Sequence, residues 1–202
     1  GIRRGVDIRV EKRLPMGGGL GGGSSDAATV LVALNALWHL GLTEADLIEL
    51  GVGLGADVPV FIKGRSAWAE GVGEKLVPLD LPEPWYVIVL PPCHVSTAAV
   101  FAAPDLTRNS PPATISDFLG GMRMNDCLPA VRHLYPDVDA AVTALSAYGE
   151  ARLTGTGACV FAAFAEREQA ELVAGELAKS WRVQVARGLN RSPLLDKLTQ
   201  LK

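Results

Sequence analysis

Apolar and charged side chains alternate along residues 6–12, which predicts a strand near the start of the chain. Val6, Ile8 and Val10 fall on one face, because successive side chains of a strand point to opposite sides. Lys12 falls in phase with this apolar face. Its ammonium group has two interpretations: a contact with nucleotide phosphate or ribose, or an ordinary strand-end lysine that reaches solvent.

The later elements follow from changes in this pattern. Apolar residues recur at helical spacing after a glycine-rich run, and again after Thr43, the expected N-cap of a second helix. Two short segments around a glycine turn predict a hairpin, and a continuous apolar run predicts a buried strand. The predicted helices cover about residues 27–40, 42–50, 126–148 with a break near Pro136, and 167–179. The hairpin covers residues 66–79. Strands are predicted at residues 85–90 and 181–186, and a further strand follows the glycine loop in residues 153–161.

A proline-punctuated stretch at residues 80–84 separates two regions, and we place a domain boundary there. The expected domains are residues 1–80 and 81–202, and a chain of 202 residues has room for a core in each. Strands and helices alternate in the second region in an order compatible with a split βαβ layer. The predicted class is therefore α+β.

Charge and composition exclude several classes of function. A net charge of −3 argues against nucleic acid as the main partner, because neutralising phosphates needs a basic face. No apolar run approaches the roughly 18 residues that a membrane span needs, so we expect a cytoplasmic protein with no membrane partner. Three widely spaced cysteines fit neither a disulfide framework nor a zinc pattern, and no side chain is assigned as a metal ligand.

Six glycines and two hydroxyls stand directly before the first predicted helix, in a run that looks like a phosphate cradle. Glycine permits positive φ and carries no Cβ, so successive N–H groups can converge on one anion. The helix that follows directs the positive end of its dipole to the same place. Each serine is a candidate hydroxyl for phosphate or metal, with a helix N-cap as the alternative for one of them. The run consists of Pro15, Met16, Gly17, Gly18, Gly19, Leu20, Gly21, Gly22, Gly23, Ser24 and Ser25.

The residues around the run exclude three other nucleotide sites. A Walker A loop requires a lysine after its last glycine, where this chain has Ser24. A dinucleotide-binding fold requires a strand after the helix, whereas the sequence after Gly41 predicts a second helix. A protein kinase carries His-Arg-Asp and Asp-Phe-Gly tripeptides, and neither occurs here.

A second glycine-spaced segment, residues 51–61, carries Asp57 between Ala56 and Val58. An acid among apolar neighbours needs a partner or a function, because burial of a bare carboxylate is costly. The local sequence leaves two interpretations open, a turn or cap aspartate and a functional carboxylate.

Three segments make the chain similar to the GHMP small-molecule kinases. Residues 12–28 resemble the ATP loop of that family, residues 54–61 resemble its catalytic-aspartate segment, and residues 153–161 resemble its third motif. The resemblance implies that Asp57 serves the substrate hydroxyl, as base or as orienter. It also implies that Lys12 and the glycine run bind ATP, with Mg²⁺ as a second cofactor.

The resemblance further places Thr97 and Phe101 on the substrate side. The alternatives for these two residues are a hydroxyl at a helix start and a core aromatic. The implied partner is a small molecule, bound by a monomer or a weak homodimer. The implied fold is a two-domain GHMP kinase fold, with an incomplete N-terminal ATP-binding domain and a C-terminal ferredoxin-like α/β sandwich domain.

The family also carries a segment ahead of its ATP loop, with a lysine that pairs with the catalytic aspartate and a Tyr-His pair that stacks on cytosine. We expect that segment to be missing ahead of Lys12. The implied reaction is ATP-dependent phosphorylation of the tertiary 2-hydroxyl of a cytidine-diphosphate-linked methylerythritol. Another alcohol, such as mevalonate, homoserine or a sugar, and a nucleotide-binding module without turnover are the alternatives.

Overall fold

A computed structural model describes residues 5–122 and 124–200 of the chain. The first and last residues of the two expected domains, 1–4 and 201–202, lie outside the described residues. Among the helices of the described ranges, none combines the length and the apolar character that crossing a bilayer would require.

Three helices build the first part of the molecule: α1 (Gly22–Leu37), α2 (Glu44–Val52) and α3 (Val58–Lys63). They enclose a small core whose buried members are Ala28, Val32, Leu47, Val58 and Ile62.

The second helix begins as predicted. The Thr43 hydroxyl accepts a hydrogen bond from the Asp46 N–H, and the Asp46 carboxylate accepts one from the Thr43 N–H. This reciprocal pair is a capping box, which satisfies two amide groups that a helix start otherwise leaves without partners. Thr43 is therefore confirmed as the N-cap of α2.

The first helix begins five residues earlier than predicted. Its N-cap is Gly21, which adopts a left-handed conformation with φ of 66° and offers no side-chain cap. Ser24 and Ser25 consequently lie within the first turn of α1, and the hypothesis that one of them is the N-cap is wrong. The apolar pattern indicates a start at the first apolar residue, whereas the backbone already turns helical in the glycine run.

The strand predicted over residues 6–12 is wrong. The segment has no regular secondary structure, and Val6, Ile8 and Val10 are 50%, 53% and 48% exposed. A strand needs a neighbour that accepts and donates its backbone hydrogen bonds. No strand within residues 5–122 and 124–200 pairs with this segment, so alternation alone does not produce one.

The hairpin is confirmed. Strands β1 (Ala67–Glu70) and β2 (Lys75–Pro78) pair antiparallel around a glycine-containing turn. The turn packs against the segment before α3: a methyl group placed on Gly73 would lie 2.0 Å from the Ala56 carbonyl oxygen. The hairpin thus supports the backbone next to Asp57.

A four-stranded antiparallel sheet forms the second part of the molecule. The buried run predicted as a strand is its central strand β3, and the neighbouring strands lie in the order β4-β5-β3-β6. Val87 pairs with Ala162 on one side and with Val185 on the other. The strands are β3 (Trp85–Leu90), β4 (Arg152–Leu153), β5 (Val160–Phe164) and β6 (Arg182–Arg187).

Helices cover one face of this sheet and enclose the larger core, in which Val87, Val89, Val160 and Leu145 are fully buried. Along the chain, the second part runs through a strand, helices, two strands, a helix and a last strand. This order is the split βαβ topology of a ferredoxin-like domain. The α+β class and the ferredoxin-like C-terminal layer are confirmed. The helices are α4 (Thr97–Ala102), α5 (Ile115–Leu119), α6 (Cys127–Leu134), α7 (Pro136–Ser146), α8 (Arg167–Leu177) and α9 (Pro193–Thr199).

The last helix returns to the first part of the molecule. Leu194 and Leu198 of α9 pack against the small core. The backbones of Arg65 and Arg191 form an isolated antiparallel β-bridge. The domain boundary at residues 80–84 stays a prediction.

Candidate functional site: a glycine loop at the start of α1

The glycine run folds into a loop that turns back on itself. Gly17, Gly19 and Gly21 have φ of 72°, 70° and 66°, a region that a side chain with a Cβ rarely adopts. Gly21 has a second constraint, since a methyl group there would lie 2.8 Å from the Phe61 ring. The sequence has glycine at these positions because the loop conformation requires it.

The loop encloses a cavity of about 540 Å³. Every residue assigned to ATP binding from the sequence lines this cavity, which Glu11, Arg13, Leu14, Asp26 and Phe61 complete. The assigned lining residues are Lys12, Pro15, Met16, Gly17, Gly18, Gly19, Leu20, Gly21, Gly22, Gly23, Ser24 and Ser25.

The start of α1 offers unpaired donors to the cavity. The first backbone hydrogen bond of the helix runs from the Ser25 N–H to the Gly21 carbonyl oxygen at 2.8 Å. The preceding N–H groups, of Gly22, Gly23 and Ser24, belong to the turn that a helix leaves without internal acceptors. Together with the helix dipole they form a site suited to an anion.

A methyl group on Gly23 would meet no atom within 4 Å, so the lining is open at this point. A phosphate group can therefore approach the backbone closely, as a phosphate cradle requires.

Two charged side chains stand beside the loop. The Lys12 ammonium group forms an ion pair with the Asp26 carboxylate, and both are partly exposed. Lys12 thus lines the cavity, within reach of a nucleotide phosphate or ribose, and Asp26 of α1 partly neutralises its charge. Asp26 was not recognised from the sequence, although its position directly after Ser25 marks it as part of the first turn.

Asp57 occupies the N-cap position of α3, but its carboxylate makes no capping hydrogen bond. Within the described ranges no hydrogen bond or ion pair engages this side chain, which is exposed. The side-chain cap is therefore wrong, whereas Asp57 does lie in a turn, as the other half of that interpretation has it. Its exposure removes the cost of burial that the sequence argument invoked. The carboxylate is available to a ligand.

The segment before α3 approaches the start of α1. A methyl group placed on Gly55 would lie 3.9 Å from the Ser24 hydroxyl oxygen. Asp57 follows two residues later in the chain, so an acid and the phosphate loop occupy one region of the surface.

Thr97 and Phe101 lie on α4. Thr97 is the first residue of this helix, as the helix-start alternative has it, and the Ser96 hydroxyl accepts the capping hydrogen bond. The Thr97 hydroxyl instead lies 2.9 Å from the Thr156 hydroxyl, in the loop between β4 and β5. Phe101 is 57% exposed, which makes the core-aromatic alternative wrong.

Phe101 lines a second, mostly apolar cavity of about 610 Å³. Trp68 of the hairpin, Phe118 of α5 and Phe161 of β5 line it as well, and Thr156 lies at the same cavity. Thr97 reaches this region through its contact with Thr156. Phe101 thus lines this cavity, Thr97 contacts one of its lining residues, and substrate binding there remains a prediction.

The loop between β4 and β5, residues 154–159, lies directly beneath the glycine loop. Burial raises the pKa of the Cys159 thiol to about 11, and a methyl group on Gly18 would lie 2.8 Å from this sulfur. The thiol is therefore a packing group under the phosphate loop. Sequence reasoning identified this second loop as a family motif, but it did not reveal that the two loops touch.

Comparison with known proteins supplies the family. The GHMP kinases N terminal domain family matches residues 1–65, and the GHMP kinases C terminal family matches residues 103–183. These matches contain the glycine loop and Asp57 in the first case and the loop beneath it in the second.

Curated relatives are similar over nearly the whole chain. The 4-diphosphocytidyl-2-C-methyl-D-erythritol kinase of Methylococcus capsulatus is 57% identical over 201 residues, covering 99% of this chain and 69% of the relative. The enzyme of the same name from Nitrosococcus oceani is 58% identical over 195 residues, covering 96% of this chain and 70% of the relative.

Solved structures agree with the fold. A crystal structure of 4-(cytidine 5'-diphospho)-2C-methyl-D-erythritol kinase superposes with a TM-score of 0.73 at 36% identity, covering 89% of this chain and 69% of that one. Homoserine kinase from Cytophaga hutchinsonii gives 0.67 at 20% identity, covering 90% and 69%, and shows the fold alone. Sequence, site geometry and fold therefore agree that this chain belongs to the GHMP kinases.

Proposed function

We propose that this chain phosphorylates the 2-hydroxyl of 4-diphosphocytidyl-2-C-methyl-D-erythritol with ATP, a step of isoprenoid precursor biosynthesis. The observation that carries the proposal is the open phosphate cavity at the start of α1 in a chain 57% identical to a kinase of that name. A cytoplasmic enzyme that works as a monomer or a weak homodimer belongs to the same proposal.

The residues of the cavity fit a nucleotide triphosphate. The N–H groups at the start of α1 and the helix dipole stabilise negative charge where the phosphates would lie. Lys12 adds a positive charge at the same cavity. Phosphoryl transfer demands little covalent chemistry of the protein, so this positioning and charge neutralisation are its main contribution.

The hydroxyls of Ser24 and Ser25 are the groups that would hold Mg²⁺ beside the phosphates. Both line the cavity, and no group of three acidic, histidine or cysteine side chains in the described part of the chain is arranged as a metal cage. This arrangement fits Mg²⁺, which keeps several waters and binds largely through substrate phosphates. When bound, the ion neutralises charge on the transferred phosphoryl group.

Asp57 is proposed to orient the attacking hydroxyl or to accept its proton. Its carboxylate is exposed and makes no hydrogen bond within the described ranges. Thr97 and Phe101 are proposed to contact the acceptor from α4, where the Phe101 ring borders the apolar cavity.

Assay of the purified chain with ATP, Mg²⁺ and a panel of alcohols tests the proposal. The panel contains the cytidine-diphosphate-linked methylerythritol, mevalonate, homoserine and a sugar, and phosphorus NMR of the product locates the new phosphate. We expect ADP release and a 2-phosphate only with the first alcohol. Turnover of another alcohol instead would contradict the substrate, and ATP binding by calorimetry without ADP release would indicate a binding module.

A further inference from the structure

A buried polar contact joins the two loops of the site. The Thr154 hydroxyl donates toward two carbonyl oxygens, that of Gly18 at 2.8 Å and that of Cys159 at 2.9 Å. The Cys159 N–H donates to the same Gly18 carbonyl at 3.2 Å. Gly18 and Thr154 are 136 residues apart in the sequence, so the contact holds two distant segments together.

The glycine loop is closely packed at this contact. A methyl group on Gly19 would lie 2.4 Å from the Thr154 carbonyl oxygen and 2.6 Å from its hydroxyl oxygen. Gly19 therefore has to lack a side chain both for its φ of 70° and for this approach. The floor beneath the phosphate loop is backbone and one hydroxyl.

Thr154 is a buried polar residue whose hydroxyl faces backbone carbonyl oxygens. Burial of a hydroxyl is costly unless a hydrogen bond compensates it, and here two carbonyls are in reach. A valine at this position has nearly the same shape and would fill the same space without that cost. The packing of the core therefore does not explain a threonine, whereas a donor to the phosphate loop does.

We propose that Thr154 is a positioning residue for ATP, acting through the Gly18 carbonyl on the phosphate loop. With that carbonyl pointing to Thr154, away from the cavity, the N–H groups of the following residues are directed toward the cavity. Because phosphoryl transfer depends on position, small shifts of such a loop reduce binding and turnover. The proposal rests on ATP binding as part of the proposed function.

The substitution Thr154→Val removes the hydroxyl without stranding its acceptors. The Gly18 carbonyl keeps the Cys159 N–H, and the Cys159 carbonyl keeps the Thr154 N–H at 3.0 Å. The variant is therefore expected to fold. Thr154→Ser keeps the hydroxyl and deletes the methyl group, so the two variants separate the hydrogen bond from packing.

The measurements are the Kd of ATP by calorimetry without acceptor, and thermal unfolding of each variant. We expect Thr154→Val to raise the Kd roughly 3- to 10-fold, the size of one net hydrogen bond, and Thr154→Ser to stay near the original value. In a turnover assay the loss should appear mainly in KM for ATP. Thr199→Val is the matched control, because its hydroxyl donates to the Leu195 carbonyl within α9 and away from the loop.

Three outcomes would overturn the proposal. The first is an unchanged Kd for Thr154→Val, whether or not its unfolding temperature falls. The second is a weaker Kd for Thr154→Ser than for Thr154→Val, which would assign the role to the methyl group. The third is no ATP binding by the unaltered chain. Tight ATP binding without phosphorylation of any alcohol contradicts the proposed function alone and leaves the assignment of Thr154 standing.

Discussion

The helical part of the molecule and the sheet part divide two tasks between them. The core of α1–α3 is small, and around it lie an exposed carboxylate, two hydroxyls and the open cavity of the glycine loop. The sheet of β3–β6 has the larger core, with fully buried side chains from strands and helices. The comparison teaches that the groups proposed for phosphoryl transfer lie on the less extensively packed part, while the part with the larger core supports the glycine loop from beneath.

The largest effect should come from the helical part, with Asp57→Asn. This variant keeps the shape of the side chain but removes the charge that we propose orients the substrate hydroxyl. Loss of a positioned acid–base group reduces turnover by roughly two to four orders of magnitude. Steady-state ADP release measures this effect.

Calorimetry and thermal unfolding of Asp57→Asn provide the control. ATP binding and stability should stay near the original values, because no hydrogen bond or ion pair of the described residues engages this carboxylate. Near-normal turnover would remove Asp57 from catalysis.

In the sheet part, a substitution in the core should lower the free energy of unfolding. Leu145 of α7 is fully buried in the larger core, and Leu145→Ala leaves a cavity there. We expect the free energy of unfolding to fall by about 2–5 kcal/mol, measured by urea denaturation. A loss well below that range would show that the helix layer can collapse around the vacant space, and the sheet part would then be less rigid than proposed.

The same comparison explains what the sequence could predict. The strand β3, the N-cap of α2 at Thr43, the hairpin and the break near Pro136 all depend on local patterns, and all are confirmed. Residues 6–12 show equally good alternation, but strand formation depends on a partner that a local pattern does not reveal.

The site divides in the same way. The glycine loop is a contiguous motif that the sequence indicates directly, whereas the functional role of Asp57 is implied only by the family resemblance and stays a prediction. The contacts of Lys12 with Asp26, of Gly21 with Phe61 and of Gly18 with Thr154 exist only because folding brings separate segments together. No spacing in the sequence connects Gly18 with Thr154, so the support under the loop could not be predicted.

The contact between the two parts can be broken at Gly19. Gly19→Ala places a methyl group against the Thr154 carbonyl and forces a strained φ, so the loop has to move. A left-handed conformation costs an ordinary residue about 1–2 kcal/mol before any clash, and we expect the Kd of ATP to rise at least tenfold. Gly175→Ala in α8 is the matched control, because it meets no atom within 4 Å. Unchanged ATP binding by Gly19→Ala would show that the loop need not rest on the sheet part.

A smaller effect is expected at the ion pair beside the cavity. Asp26→Asn removes a negative charge from the phosphate site and frees the Lys12 ammonium group. We expect the Kd of ATP to fall by roughly 2- to 5-fold, consistent with about 1 kcal/mol for charges near a surface, and the gain to shrink as salt rises.

Asp139→Asn is the matched control for Asp26→Asn, since it breaks the exposed pair with Arg132 on the sheet part. Weaker ATP binding by Asp26→Asn would mean that the carboxylate orients Lys12 rather than competing for it.

The smallest expected effect is a change in stability at two helix caps of the same kind, that of α2 in the helical part and that of α5 in the sheet part. Hydrogen bonds from Thr43 lower the pKa of the Asp46 carboxyl, and those from Thr114 lower the pKa of Asp117 in the same way. A carboxyl with a lowered pKa in the folded state contributes stability above its unfolded pKa, and loses it as pH falls through the folded value. Urea midpoints at neutral and acidic pH should therefore show Asp46→Asn less stable than the original only at neutral pH.

The matched variant Asp117→Asn should shift the same midpoint less. The cap at Asp46 starts α2, which buries Leu47 in the small core, whereas α5 contributes no buried residue. Equal shifts for the two variants would show that α5 unfolds together with the larger core. In that case Phe118 of α5, which lines the apolar cavity, would be held as firmly as the glycine loop. The supporting part of the molecule would then extend to α5.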